Sequence, residues 1–148
     1  MRANNRKRDM IELPSNPIIL VTGGAGFIGS NFVHHAIKSG ARVVTFDALS
    51  YAGNLSNLVS LQSNPNHIFV HGSICEGKLI KETMEKYRPD AVVHLAAESH
   101  VDRSIDSPRS FLINNVCGTF ELLEATREYL NKQTEKAAHR FRFLHVST

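Results

Sequence analysis

Three stretches of this chain hold residues whose types and spacing suit chemistry. In the run Thr22-Gly23-Gly24-Ala25-Gly26-Phe27-Ile28-Gly29, the glycines Gly23, Gly26 and Gly29 form a GxxGxxG pattern. That spacing is a variant of the dinucleotide fingerprint. In such a turn Gly23 permits the tight bend, Gly26 lets backbone approach a pyrophosphate, and Gly29 lets the following helix pack closely on the sheet. The helix N-terminus then offers free N–H groups and a positive dipole end to the phosphates. An ordinary strand-to-helix turn uses the same residue types, so the context on both sides carries the assignment. Asp47 lies 18 residues beyond Gly29, where a carboxylate accepts hydrogen bonds from ribose hydroxyls. A loop aspartate capping the next turn reads the same way. Ala48, Leu49 and Ser50 follow it and supply no cation for a 2′-phosphate, which favours NAD over NADP. The third stretch runs from His94 through Leu95, Ala96, Ala97, Glu98, Ser99, His100 and Asp102 to Ser104. Small residues at the end of a buried strand leave room for a ligand in the crevice where such folds bind. The polar residues after them also suit a solvated loop.

These groups need a scaffold, and the chain alternates strand-like and helix-like segments. Ile18 to Val21 is a short apolar run. From Gly26 to Ser39, Ile28, Phe32, Val33, Ala36 and Ile37 form a helical stripe closed by Gly40. Arg42 to Phe46 is a second strand, and Leu55 to Leu61 a short helix with Leu55, Leu58, Val59 and Leu61 on a shared face. His67 to Val70 is a third strand. Lys78 to Tyr87 is helical, with Ile80, Met84 and Tyr87 on one side, and Pro89-Asp90 ends it. Ala91 to Ala97 reads as a strand buried on both faces. Ser107 and Pro108 suit an N-cap and first turn. The helix they start reaches about Asn131, with Phe111, Leu112, Phe120, Leu123 and Leu130 among its buried candidates. Arg140 to Val146 is a fifth strand. This alternation predicts an α/β, doubly wound parallel sheet with strand order 3-2-1-4-5. The expected organisation is a flexible basic tail over residues 1–17 and one dinucleotide-binding domain over 18–148.

Composition narrows the function classes. Apolar residues make up 42% and charged residues 21% of the 148, the balance of a globular domain with a real core. No apolar run approaches the ~20 residues of a membrane span. Arg2, Arg6, Lys7 and Arg8 precede no apolar stretch of the kind a secretory signal needs, so a cytoplasmic protein is expected. The net charge of +3 is small and partly carried by that tail, so no nucleic-acid partner is expected. Cys75 and Cys117 are isolated, which argues against a disulfide framework or zinc site. Adjacent His34 and His35 diverge by about 100° on a helix. His67 and His71 stand roughly 13 Å apart along a strand. No metal site is expected.

The segments GGAGFIGS, Asp47-Ala48-Leu49-Ser50-Tyr51-Ala52-Gly53-Asn54, HLAAESHVDRS and FLHVST together resemble the extended short-chain dehydrogenase/reductases, and among them the dTDP-glucose 4,6-dehydratases. The resemblance runs from about Ile18 to Thr148. It implies an NAD-binding Rossmann fold in which Phe27 and Ile28 meet the pyrophosphate through backbone. Asp47, Ala48, Leu49 and Ser50 would surround the adenosine ribose. Leu95, Ala96, Ala97, Ser99 and Asn114 would line the cofactor, and Ser99 and Thr148 would touch the sugar. Where the family has Asp-Ile against the adenine, this chain has Ser73-Ile74. The implied reaction moves hydride from C4 to NAD, removes water across C5 and C6, and returns hydride to C6. The implied complete enzyme is a homodimeric lyase acting on dTDP-glucose. Its Asp-Glu pair and Tyr-x-x-x-Lys have no counterpart here. The residues four beyond Tyr51, Tyr87 and Tyr129 are Leu55, Ala91 and Gln133. The chain is therefore expected to be an N-terminal fragment, ending after the fifth strand and inactive alone. A related epimerase or dehydratase, or a non-catalytic NAD-binding module, are the alternatives.

Overall fold

The computed structural model describes residues 12–99, 105 and 107–147. Residues 1–11, His100, Asp102, Ser104 and Thr148 lie outside them.

Each strand's alternation of side chains builds a core on both sides of one sheet. The strands are β1 (Ile18–Thr22), β2 (Arg42–Asp47), β3 (His67–His71), β4 (Ala91–His94) and β5 (Arg142–His145). All neighbours are parallel, in the order β3-β2-β1-β4-β5, the order the alternation predicts. Successive residues of a strand point to opposite faces. Ile19, Val21, Val43 and Val93 accordingly enter one cluster, with Val33 and Ala36 of α1 (Phe27–Lys38). Leu20, Val44, Phe46 and Val92 enter the other, with Ile80 and Met84 of α2 (Gly77–Tyr87) and with Leu122, Ala125 and Tyr129.

Gly40, at φ +95°, closes α1. Its N–H bonds the Ile37 carbonyl at 3.0 Å and the Ala41 N–H bonds the Ala36 carbonyl at 3.0 Å, a left-handed cap suited to glycine.

Several expected details change. β4 stops at His94 rather than Ala97. β1 ends at Thr22, so Leu95 N–H takes the last carbonyl there at 3.1 Å and the chain then leaves the sheet. Residues 55–61 form a 3-10 helix. With about three residues per turn, Leu58 and Leu61 share the buried side while Val59 points out and Leu55 stays at the exposed end. Ile28 lies in the first turn of α1 and is exposed, outside the stripe.

The long helix is three segments: α3 (Pro108–Phe111), a π-helical stretch (Leu112–Gly118) and α4 (Thr119–Asn131). Ser107 stands at the N-cap without a side-chain cap bond. The face that meets the sheet is Leu122, Ala125, Thr126 and Tyr129, spaced i, i+3, i+4, i+7. Leu112, Phe120 and Leu123, expected inside, are exposed, and Phe111 and Leu130 are half-buried. The helix has two apolar faces, and periodicity does not say which one the sheet covers. A further helix, α5 (Glu135–Arg140), precedes β5, which starts at Arg142 rather than Arg140.

Candidate dinucleotide-binding cleft

The carboxyl ends of the five strands point to one edge, where the sheet order reverses between β1 and β4. Such a switch point opens a crevice, and an open cleft of about 140 Å³ lies there. Gly23 and Gly26 come to it from the turn after β1, Asp47 from the end of β2, and Ala48 and Ser50 from the loop that follows. Ser73 and Ile74 follow β3, Leu95, Ala96 and Ala97 follow β4, and Asn114 reaches in from the π-helical stretch.

The glycines do different work. Gly23 sits at φ +70°, and a Cβ there would meet Ala96 N at 2.6 Å, so the departing β4 chain crosses directly over it. At Gly29 a Cβ would collide with the Gly23 carbonyl, so this glycine seats the helix on the turn rather than on the sheet. Gly26 differs. A Cβ there would lie 3.4 Å from Gly23 O and 3.8 Å from Ala52 O, so no protein contact requires glycine. Its carbonyl accepts the Ser30 N–H at 2.9 Å, the first turn of α1. The amides of Phe27 and Ile28 precede that bond, among the unpaired donors of a helix start. No acidic residue stands in the first turn. That combination suits an anion.

Asp47, 8% exposed, already works within the fold. Its Oδ2 accepts the Ala25 N–H at 2.9 Å and its Oδ1 accepts the Leu49 N–H at 2.8 Å. The carboxylate thus ties the glycine turn to the loop after β2, where Leu49 has φ +51°. Each oxygen keeps a lone pair for a further donor, so capping and hydroxyl binding are compatible.

Five expected residues do not line the cleft. Phe27 and Ile28, in the first turn of α1, are 82% and 67% exposed. Gly29 is buried beneath the turn. Leu49 packs on the core cluster beside α1. Ser99 is exposed, next to Glu98. The structure adds Phe46, Ala52, Gly53, Gly72 and Glu98 to the lining. At Gly53 the chain folds back so closely over Asp47 that a Cβ would sit 2.7 Å from Oδ1.

Two positioning groups carry no local sequence signal. Asn115 brackets the loop after β4 like a paired strand: its Oδ1 accepts the Glu98 N–H and its Nδ2 donates to the Glu98 carbonyl, both at 2.8 Å. Asn114, which lines the cleft, and Asn115 are neighbours in the π-helical stretch. His94, 1% exposed, has Nδ1 at 2.7 Å from Thr22 Oγ1 and Nε2 at 3.0 Å from Thr119 Oγ1. Thr22 Oγ1 also accepts the Ala96 N–H at 3.4 Å. Burial, and secondarily the neighbouring His145, lowers the His94 pKa to about 4. It is a neutral peg under the cleft. Among the described residues no cluster of three metal-ligating side chains occurs, and no helix is long and apolar enough to cross a membrane.

This arrangement matches known proteins in sequence and shape. The chain is 56% identical over 129 residues to a dTDP-glucose 4,6-dehydratase of Xanthomonas campestris pv. campestris, covering 87% of this chain and 37% of that protein. A dTDP-glucose 4,6-dehydratase from Streptomyces venezuelae, solved with NAD and TYD bound, is 42% identical with a TM-score of 0.71, over 76% of this chain and 36% of that one. The UDP-glucose 4-epimerase of Brucella ovis, solved with NAD, is 40% identical with a TM-score of 0.68, over 76% and 33% of the two chains. The chain thus spans little more than a third of the length of these relatives. Residues 20–148 match the family model described as GDP-mannose 4,6 dehydratase, and the chain belongs to that family.

Proposed function

We propose that this chain is the NAD-binding part of a nucleotide-sugar 4,6-dehydratase that acts on dTDP-glucose. The observation that carries the reading is Gly26: the fold does not need glycine there, yet its replacement would fill the space beside the α1 amides. In the proposed arrangement those amides hold the pyrophosphate and Asp47 accepts from the ribose hydroxyls. Ala96, whose N–H meets the Thr22 hydroxyl that His94 holds, and Ala97 leave room beside the strand ends for the ring that exchanges hydride. When bound, NAD would supply the hydride acceptor and donor. Ser99 and Thr148 are the proposed sugar contacts.

The greater likeness to dTDP-glucose dehydratases favours that reading over an epimerase. The segment from Ile18 is proposed as the cofactor domain, in a cytoplasmic enzyme. The exposed row Leu112, Ile113, Val116, Phe120 and Leu123 supports a homodimer, because one continuous apolar helix face invites a second copy.

Calorimetry on the chain tests the reading: NAD is expected to bind more tightly than NADP, and the reverse order would overturn the Asp47 assignment. With dTDP-glucose and NAD added, no 4-keto-6-deoxy sugar is expected above a no-protein control. These 148 residues hold no Tyr-x-x-x-Lys pair, and losing one proton-transfer group costs about 10²–10⁴-fold.

A further inference from the structure

A dinucleotide with its pyrophosphate over Gly26 and its ribose at Asp47 must continue onto the next strand's exit. There β3 pairs with β2 at His71 opposite Asp47, and Gly72 N–H bonds the Asp47 carbonyl at 3.1 Å. The base therefore arrives at Gly72, Ser73 and Ile74, all of which line the cleft. Ala48, Gly72 and Ile74 offer it no polar side chain, which leaves Ser73 and Asn114 to meet its edge.

Both polar groups are half committed. Ser73 Oγ accepts the Cys75 N–H at 3.2 Å, and a hydroxyl so used keeps its hydrogen and a second lone pair. The Cys75 thiol lies 3.6 Å from both Asn114 Oδ1 and the Ile113 carbonyl oxygen and shares its one hydrogen between them, which leaves the amide hydrogens of Asn114 as donors. The carboxylate nearest in sequence, Glu76, takes the Ser73 N–H on Oε1 at 2.7 Å and does not line the cleft.

We infer that this slot accepts a 6-oxopurine as readily as a 6-aminopurine, with Ser73 as the residue that sets the tolerance. The inference rests on the NAD reading of the cleft and deepens it. A carboxylate at this position would only accept, welcoming an exocyclic amine and facing a ring carbonyl with lone pair against lone pair. Strong rejection of an analogue requires a site whose buried polar group is left unpaired by it. A serine hydroxyl is paired by either base at position 6, donating to O6 or accepting from the amine. N1 changes from acceptor to donor between the two, and the Asn114 amide, with donors on Nδ2 and a second lone pair on Oδ1, pairs either form.

The test titrates the 148-residue chain calorimetrically with NAD and with nicotinamide hypoxanthine dinucleotide. The two dissociation constants are expected to agree within about fivefold. Ser73→Asp keeps an acceptor for the Cys75 N–H and is expected to weaken the hypoxanthine form at least about tenfold relative to NAD. Ser73→Ala is expected to leave the ratio as in the parent. NAD binding with a preference above about thirtyfold, or an unchanged ratio in Ser73→Asp, overturns the inference and leaves the cofactor reading standing. If neither dinucleotide binds, the cofactor reading itself fails and the inference falls with it.

Discussion

Replacing Gly26 separates what the fold needs from what a ligand needs. The residue sits at φ −74°, ψ 176°, open to any side chain, and its Cβ would make ordinary contacts at 3.4 and 3.8 Å. Gly26→Ala narrows the unfolded ensemble, which stabilises by about 0.4–1 kcal/mol. It also gives up a favourable N-cap residue, which costs a comparable amount, about 0.5–1 kcal/mol. The melting temperature should therefore hardly move. Binding should suffer, because backbone can no longer come within hydrogen-bond distance of a phosphate. Losing one hydrogen bond to a charged group costs about 1.5–3 kcal/mol, or roughly 10–100-fold in dissociation constant, and Gly26→Val should be worse. Gly23→Ala is the contrast. Its φ of +70° costs about 1–2 kcal/mol with a side chain, and the contact with Ala96 N at 2.6 Å adds to it. That variant should lose stability first. Thermal melts paired with NAD titration decide the matter. A Gly26→Val protein with unchanged melting and parental NAD affinity would show that no phosphate lies over this turn.

Other perturbations probe the supports of the cleft. The folded His94 pKa is about 4 against an ordinary 6.5, so the unfolded chain binds this proton first as pH falls. Stability from this group is full above pH 6.5 and lost on descent to 4, about 2 kcal/mol of it between pH 7 and 5. Urea denaturation of the parent and His94→Gln at both pH values should show a shallower loss in the variant, and equal losses would remove His94 as the cause. Asn115→Ala deletes both bonds to Glu98, worth about 2 kcal/mol together. A fall in melting temperature of about 4–8 °C is expected, with NAD affinity reduced more than that of ADP, which has no need of the loop after β4. Equal effects on the two ligands would contradict local positioning. Phe120→Lys on the exposed helix face should shift any dimer toward monomer in light scattering, and an unchanged mass would tell against that face.

The local sequence determined the strand order and the glycine turn, because each depends on neighbours. Apolar runs broken by Gly40 and Pro89 mark elements, and a parallel alternation leaves few right-handed topologies. Asp47, Ser73 and Asn114, which line the cleft, were also readable as candidates, the first from spacing and the others through resemblance. What only the tertiary structure decided were relations between distant segments. Asn115 meets Glu98 across 17 residues and Asp47 meets Ala25 across 22, separations on which helical or strand periodicity is silent. The same holds for the long helix. Leu112, Phe120 and Leu123 are as apolar as Leu122, and the choice of buried face was made by the sheet and α2 that pack against it. Gly26 shows the division within one motif. Its spacing matches that of Gly23 and Gly29, yet only the packing reveals that the fold requires those two and leaves the third open.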